Sequence, residues 1–313
     1  MCGIVAINGI NVKEYLNDQI LSSIDHRGPD DRGEFISENA DAYLGQTRLS
    51  IIDLSDAGHQ PMRDGSGRYV MSYNGEVYNF QLLKLELERN YGTLYWKSTS
   101  VSEVILEGFA REGYLFLSKL NGIFAIAIYD ARDNSLHLFR DRMGKKPLWI
   151  SQLKDGTLFF ASEVRALMLA RPDRTLRCEM ISEVMQYGYV NSPNSAFNEI
   201  QQVPPASVTS WRNGKTNTFA YWALDFETKI KIPYEEALET TRELIEAAVS
   251  RRLISERPLG AFLSGGYDST VITAYMAKLM GQKVQTYSIG FQSAQFNEAH
   301  HARKVANYLG TSH

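Results

Sequence analysis

Apolar and polar positions along the chain fall into two regimes. Over residues 2–220 the apolar runs are short, β-branched or aromatic, and divided by turns rich in glycine and aspartate. Gly3-Ile4-Val5-Ala6-Ile7-Asn8-Gly9 reads as a buried strand ended by glycine. Strands are likewise predicted at 42–44, 49–52, 69–73, 123–129, 135–139, 148–151 and 157–160. Helical spacing is weak at 17–23 and clear at 80–88 and 102–112. Strands in layers with a few helices make an α+β domain.

The pattern changes after Tyr221-Trp222. Pro233 suits the first position of a helix, along which Leu238, Ile245, Ala248, Val249 and Leu253 form one apolar stripe. A buried strand at 259–263, a polar glycine loop, a helix at 270–280 and a strand at 284–289 follow. That order opens a doubly wound α/β domain. The expected domains are therefore 2–220 and 234–313. The second span is short of the ~100–150 residues usual for such a domain, so it is expected to be incomplete.

Composition narrows the function classes. Of 313 residues, 33 are Lys or Arg and 36 Asp or Glu, a formal net charge of −3 that argues against a phosphate-neutralising nucleic-acid surface. No apolar run approaches the ~20 residues of a membrane helix, and no secretory signal is expected at the start. Two cysteines, Cys2 and Cys178, make no disulfide framework and point to the cytoplasm. Cys178 lies among charged neighbours and reads as structural. Cys2 follows the initiator Met1; removing Met1 would leave a thiol beside its own α-amine, a base of pKa about 7.7–8.0.

An acyl transfer by Cys2 needs donors for an oxyanion, and Asn74-Gly75 offers an amide and an open N–H. Arg48 suits a substrate carboxylate. Taken singly each has a plainer reading, Asn-Gly above all as a hairpin turn. In the second region Ser264-Gly265-Gly266-Tyr267-Asp268-Ser269 joins a strand to a helix N-terminus. Its glycines let backbone amides approach phosphate, and it lacks the lysine of a Walker A loop. His300, His301 and His313 have no zinc-ligand spacing, and no metal site is expected of them. The cluster from Arg140 to Lys146, interrupted by Asp141, reads as a solvated turn.

Together these residues resemble a family. Met1-Cys2-Gly3-Ile4, His26-Arg27-Gly28-Pro29-Asp30, Arg48-Leu49-Ser50-Ile51-Ile52-Asp53, Tyr73-Asn74-Gly75-Glu76-Val77-Tyr78-Asn79 and Arg140-Asp141-Arg142-Met143-Gly144-Lys145-Lys146-Pro147-Leu148 are similar to class II glutamine amidotransferases. The 264–269 loop resembles the PP-loop of ATP pyrophosphatases. With Phe296-Asn297-Glu298-Ala299, the whole set resembles glutamine-hydrolysing asparagine synthetases.

The resemblance implies a layered αββα N-terminal-nucleophile domain followed by the beginning of a doubly wound PP-loop domain. It implies that Cys2 attacks glutamine through a thioester, with Asn74 and Gly75 as the oxyanion hole. Arg48 would grip the α-carboxylate, with Glu76 beside the substrate and the backbone of Leu49, Ser50, Ile51 and Ile52 lining the pocket. Ammonia would travel through an internal tunnel to aspartate activated by ATP as an acyl-adenylate, giving asparagine, AMP and pyrophosphate. Leu263 and Ile289 would approach adenine. Ser264, Gly265, Gly266, Asp268 and Ser269 would hold the phosphates and Mg2+.

Two departures qualify this. The family's Ser-Asp-x-Glu is Ser100-Val101-Ser102-Glu103 here, so Val101 stands where an Asp would pair with the glutamine α-ammonium. Losing that bond amounts to roughly 1.5–3 kcal/mol, or about ten- to a hundredfold in affinity. Weak glutamine binding, or preference for another amide donor, is expected. The short second domain implies an impaired synthetase step in this chain alone, with a homodimer or a second chain as partner. The alternatives are an amidotransferase for another carboxylate acceptor and a non-catalytic, partner-binding remnant.

Overall fold

In the computed structural model, the described residues are 2–10, 12–16, 18–293, 295 and 297–313. The expectations for Met1, for a helix start at Asn17 and for Phe296 lie outside them. The chain divides into two compact units, Met1–Leu224 and Asp225–His313.

The first unit holds strands β1 (Gly3–Asn8), β2 (Asp31–Ile36), β3 (Ala42–Arg48), β4 (Met62–Arg63), β5 (Tyr69–Val77), β6 (Gly122–Asp130), β7 (Ser135–Arg140), β8 (Trp149–Gln152), β9 (Leu158–Ala161), β10 (Gln201–Gln202), β11 (Ser207–Arg212) and β12 (Lys215–Ala220). Its helices are α1 (Val12–Tyr15), α2 (Asp18–Ser22), α3 (Phe80–Tyr91), α4 (Val101–Glu112), α5 (Tyr114–Ser118), α6 (Val164–Ala170) and α7 (Glu179–Tyr187). The strands form two six-stranded sheets, ordered β10-β8-β9-β1-β3-β2 and β12-β11-β7-β6-β5-β4.

Alternation along the strands explains the layers. Ile4 and Ala6 of β1 meet Ala125 and Ala127 of β6 in the core between the sheets. Val5 and Ile7 point the other way, onto Ile20 and Leu21 of α2 and Ala166 and Leu167 of α6. On the far sheet Phe124, Ile126 and Ile128 pack under Leu83 and Leu87 of α3, Ile105 and Phe109 of α4, and Phe116 of α5. Both faces of the central strands are thus buried, which is why they read as unbroken apolar runs. The layering is the expected αββα.

Several local expectations need correction. Residues 49–52 form no strand: Ser50 donates its N–H to the Asp30 carboxylate at 2.8 Å and Asp53 sits at φ +57°, so the chain leaves the sheet after Arg48. Strand β2 and the β11–β12 hairpin lacked an apolar signal because they lie at or beside sheet edges, and every residue of β12 is exposed.

In the second unit α8 (Tyr234–Arg251) precedes β13 (Gly260–Phe262), α9 (Tyr267–Leu279), β14 (Gln285–Tyr287) and α10 (Ala299–Leu309). Strands β13 and β14 pair in parallel, and Ser312 bridges Gln285 in parallel on β14. The predicted helix at 270–280 begins earlier, at Tyr267, directly after the glycine loop. The strand expected to be buried is covered on one face only. Ala261 packs with Val249 of α8 and Met276 of α9, whereas Phe262 is 82% exposed and its cross-strand neighbour Tyr287 56%. Among the described residues no helix is long and apolar enough to cross a membrane.

Candidate active site

The start of β1 and the end of β3 lie side by side, because Gly3 pairs with Thr47. This register sets Cys2 next to the segment leaving β3: its Sγ accepts from the Leu49 N–H at 3.5 Å. The backbone carbonyl of Cys2 is held by Arg27 Nε at 3.0 Å, and Arg27 in turn reaches Glu163 at 2.9 Å. The second sheet is tied on by Gln46 of β3, which donates to the Tyr73 carbonyl and accepts from the Tyr73 N–H, each at 3.0 Å. Tyr73, Asn74, Gly75 and Glu76 of β5 are thereby carried to the thiol.

One cavity gathers these residues. Cys2, Arg48, Leu49, Ile51, Ile52, Asn74, Gly75, Glu76 and Val101 line it, with Gly58, Gln60, Tyr73, Ser100, Ser102 and Lys146. Ser50 alone of the expected pocket segment is absent from the lining; it is buried behind, held by Asp30.

Asn74-Gly75 is no hairpin turn but mid-strand. Asn74 is 1% exposed, and its Nδ2 and Oδ1 have no hydrogen-bond partner, an arrangement that leaves the amide available to a ligand. The Tyr73 hydroxyl is likewise buried and unpartnered. At Gly75 a Cβ would stand 2.2 Å from the Ile123 carbonyl oxygen and 2.7 Å from Phe124 Cα, both backbone atoms of β6. No flexible side chain can yield there. Gly75→Ala is expected to destabilise the protein by about 1–3 kcal/mol through overpacking, read from chemical denaturation. An unchanged midpoint would show that β6 gives way freely.

Arg48, nearly buried, donates to the carbonyls of Ser55 and Asp53, so the 53–58 loop orients its guanidinium. Asp53 accepts from Ser55 N–H and from Thr99 N–H at 2.8 Å, which joins this loop to the segment before α4. Burial opposes the Asp53 charge, but the bonds from Ser55 and Thr99 outweigh it and hold the carboxyl below its ordinary value.

At the start of α4, Ser100 caps the helix by accepting from the Glu103 N–H. Val101 borders the cavity and belongs to the apolar core under α4. Neither polar neighbour replaces a carboxylate there. Ser102 Oγ accepts from Gln60 Nε2 at 2.7 Å, and the Glu103 carboxylate is taken up by the N–H groups of Lys97 and Ser98.

The remaining charges in the cavity are Glu76 and Lys146. Burial raises Glu76 to about 7, with Lys146 pulling it back. Burial also lowers Lys146 from its ordinary value, while Cys2 and Glu76 favour its charge. The Cys2 thiol is pushed up by burial and drawn down by the Leu49 amide.

Lys146 was not among the expected site residues, and the reading of 140–146 as a solvated turn is wrong. Arg140, Asp141 and Lys146 are 4%, 1% and 8% exposed. Asp141 accepts from the N–H groups of Phe124, Met143, Lys145 and Lys146, and Arg140 donates to the carbonyls of Gly144, Lys146 and Val203. The Arg140 and Asp141 charges are spent on backbone groups of the turn and of neighbouring segments, and Lys146 is left lining the cavity. Only the quoted run through Pro147 signalled that this segment belonged with the site.

In the second unit the glycine loop lies between β13 and α9. Gly265 has φ +87°, and a Cβ there would stand 2.8 Å from the Ala302 backbone nitrogen, so glycine is required for the loop to pass against α10. Ser264 Oγ and Ser269 Oγ lie 3.0 Å apart. They line a cavity of about 410 Å³ with Leu263 and Ile289. Gly265, Gly266 and Asp268 are not in its lining; Asp268 is exposed in the first turn of α9. Hydroxyls, open amides at a helix start and apolar walls fit a nucleotide and its phosphates. Among the described residues no three His, Cys, Asp or Glu side chains come together as a metal cage.

Comparison with known proteins adds the following. The family model for the glutamine amidotransferase domain matches residues 1–222, and that for asparagine synthase matches 240–313. Asparagine synthetase [glutamine-hydrolyzing] 1 of Bacillus subtilis is 32% identical over 99% of this chain and 49% of its own length. Asparagine synthetase B of Escherichia coli is 32% identical over 92% of this chain and 48% of its own. A putative asparagine synthetase of Methanocaldococcus jannaschii is 30% identical over all of this chain and 64% of its own. The chain thus spans about half to two thirds of the length of these relatives. Among solved structures, glutamine phosphoribosylpyrophosphate amidotransferase from B. subtilis superposes with a TM-score of 0.53 at 16% identity, covering 94% of this chain and 68% of that one. That likeness concerns the fold.

Proposed function

The chain belongs to the glutamine amidotransferase family, and from that premise we propose that residues 2–220 hydrolyse glutamine and residues 234–313 belong to an asparagine synthetase-type ATP site. The observation that carries the first half is the cavity in which the Cys2 thiol faces the buried, unpartnered amide of Asn74.

With Met1 removed, the Cys2 α-amine takes the thiol proton, and the sulfur adds to the carboxamide carbon of glutamine. Asn74 Nδ2 and the Gly75 N–H donate to the oxyanion, and the ammonium returns the proton to the departing nitrogen as ammonia leaves. Water then attacks the thioester, giving glutamate and free thiol. Arg48 holds the α-carboxylate, Glu76 borders the substrate, and Leu49, Ser50, Ile51 and Ile52 frame it.

Bound Mg-ATP supplies activation of an acceptor carboxylate, aspartate in this reading, for displacement by ammonia. Ser264, Gly265, Gly266, Asp268 and Ser269 hold its phosphates and Mg2+, with Leu263 and Ile289 beside the base. A homodimer or a second chain is the partner we propose for that step, in the cytoplasm, where thiols stay reduced. Ammonia release from L-glutamine by the purified chain tests the first half, and its absence rejects it. Mg-ATP titration, compared between the native chain and Asp268→Asn, tests the second.

Val101 bears on the amide donor. The cavity wall there is apolar and belongs to a helix N-terminus, an unfavourable neighbour for an ammonium group. Val101→Asp is expected to lower KM for glutamine about ten- to a hundredfold, with kcat little changed. Equal KM values would show that the ammonium finds its partner elsewhere, and would remove the reason to expect a different donor.

A further inference from the structure

The one cationic side chain of the cavity not used above is Lys146. It is 8% exposed, it lines the same cavity as Cys2 and Glu76, and among the described residues its ammonium makes no hydrogen bond or ion pair. An ammonium on a largely buried side chain, open to a cavity and without a protein partner, is placed to act on what occupies that cavity. The turn that presents it is built from within: Asp141 accepts from the Lys146 N–H at 2.9 Å and Arg140 Nε donates to the Lys146 carbonyl at 3.0 Å. The backbone on both sides of the side chain is thereby held, which aims Lys146 into the cavity without neutralising it.

We propose that Lys146 is a positioning residue for glutamine hydrolysis, its ammonium serving as the standing counter-charge for Cys2 when the thiol loses its proton. This rests on the glutaminase reading and deepens it. The other charged groups facing Cys2 are the chain's terminal amine, Arg48 at the end of β3, Arg27 through its bond to the Cys2 carbonyl, and Glu76 on β5. Arg48 also favours the thiolate, but its guanidinium is turned to the Ser55 and Asp53 carbonyls, and Arg27 is paired with Glu163. Glu76 works in the opposite sense, because its negative charge disfavours a thiolate. Beside the α-ammonium that forms when the Cys2 amine takes the proton, Lys146 is the side-chain cation of the cavity whose ammonium makes no hydrogen bond or ion pair among the described residues.

The test reads the thiol itself. Alkylation of the full chain by iodoacetamide is followed by peptide mass spectrometry from pH 5.5 to pH 10. Exposed Cys178 serves as internal control for reagent and folding. Removing a positive charge disfavours the thiolate, so Lys146→Met is expected to move the Cys2 profile upward by about one pH unit, roughly tenfold slower alkylation near neutrality. Lys146→Arg is expected to keep the native profile, and Cys178 to react alike in all forms.

Because Glu76 also responds to Lys146, the pair of variants is repeated in a Glu76→Gln background, where the upward shift is expected to persist. Superimposed Cys2 profiles for native and Lys146→Met chains, or a shift that vanishes with Glu76→Gln, overturn the proposal. Ammonia release measured in parallel keeps the two readings apart. A shifted profile without glutamine hydrolysis counts against the glutaminase reading, and hydrolysis with an unshifted profile counts against Lys146.

Discussion

Cys2→Ala is expected to abolish ammonia release from glutamine, lowering kcat by a factor on the order of 10⁴ or more, since Cys2 carries the one thiol among the described residues lining the cavity. Among the described residues lining it, Ser100 is tied into the cap of α4 and Ser102 accepts from Gln60, so neither hydroxyl is placed to substitute. The change deletes one sulfur whose hydrogen bonds among the described residues are with Leu49, and stability should stay within about 1 kcal/mol of the native chain. Steady-state ammonia assays and thermal unfolding check both halves. Release at the native rate would reject Cys2 as nucleophile and favour the non-catalytic alternative.

Asn74→Ala is the second large effect, an expected fall of about 10²–10³ in kcat with KM changed far less. An oxyanion donor acts on charge that develops in the transition state, whereas a residue that merely binds substrate would raise KM. The usual ambiguity of a buried-polar substitution is small here. Asn74 Nδ2 and Oδ1 have no partners, so alanine removes two buried unsatisfied atoms and breaks no hydrogen bond. A loss of fold would therefore be unexpected, and a native kcat would show that the Gly75 N–H alone carries the oxyanion. Asn74→Asp should be at least as slow as alanine, because a carboxylate repels the developing charge.

The candidate site was legible in unequal parts. Cys2 stood out because a thiol beside the initiator methionine carries its own base, and that needs no tertiary knowledge. Asn74-Gly75 was visible as a pair of donors, but a dipeptide cannot say whether it turns a hairpin or lies mid-strand. The β5–β6 register decides that, placing Gly75 opposite Phe124 where a side chain does not fit. Val101 was identified against the family pattern. Only the fold shows that Ser102 and Glu103 are engaged elsewhere, by Gln60 and by the Lys97 and Ser98 amides.

Lys146 was misread for a physical reason. A run of alternating charges looks the same whether water or the protein's own backbone solvates it. Asp141 collects N–H groups from residues 124, 143, 145 and 146, and Arg140 collects carbonyls from 144, 146 and 203. Those partners come partly from distant strands, so no local window contains them. The strand at 259–263 was legible in part: Ala261 and Leu263 are buried as its apolar residues forecast, whereas Phe262 on the other face stays exposed.

By itself, then, the sequence determined the layer types and singled out Cys2 and the 264–269 loop as candidates, because these follow from local periodicity and from functional groups within a few residues of one another. The tertiary structure alone decided which charges face the thiol and which are spent on backbone, because that depends on strand register and on hydrogen bonds between segments tens of residues apart.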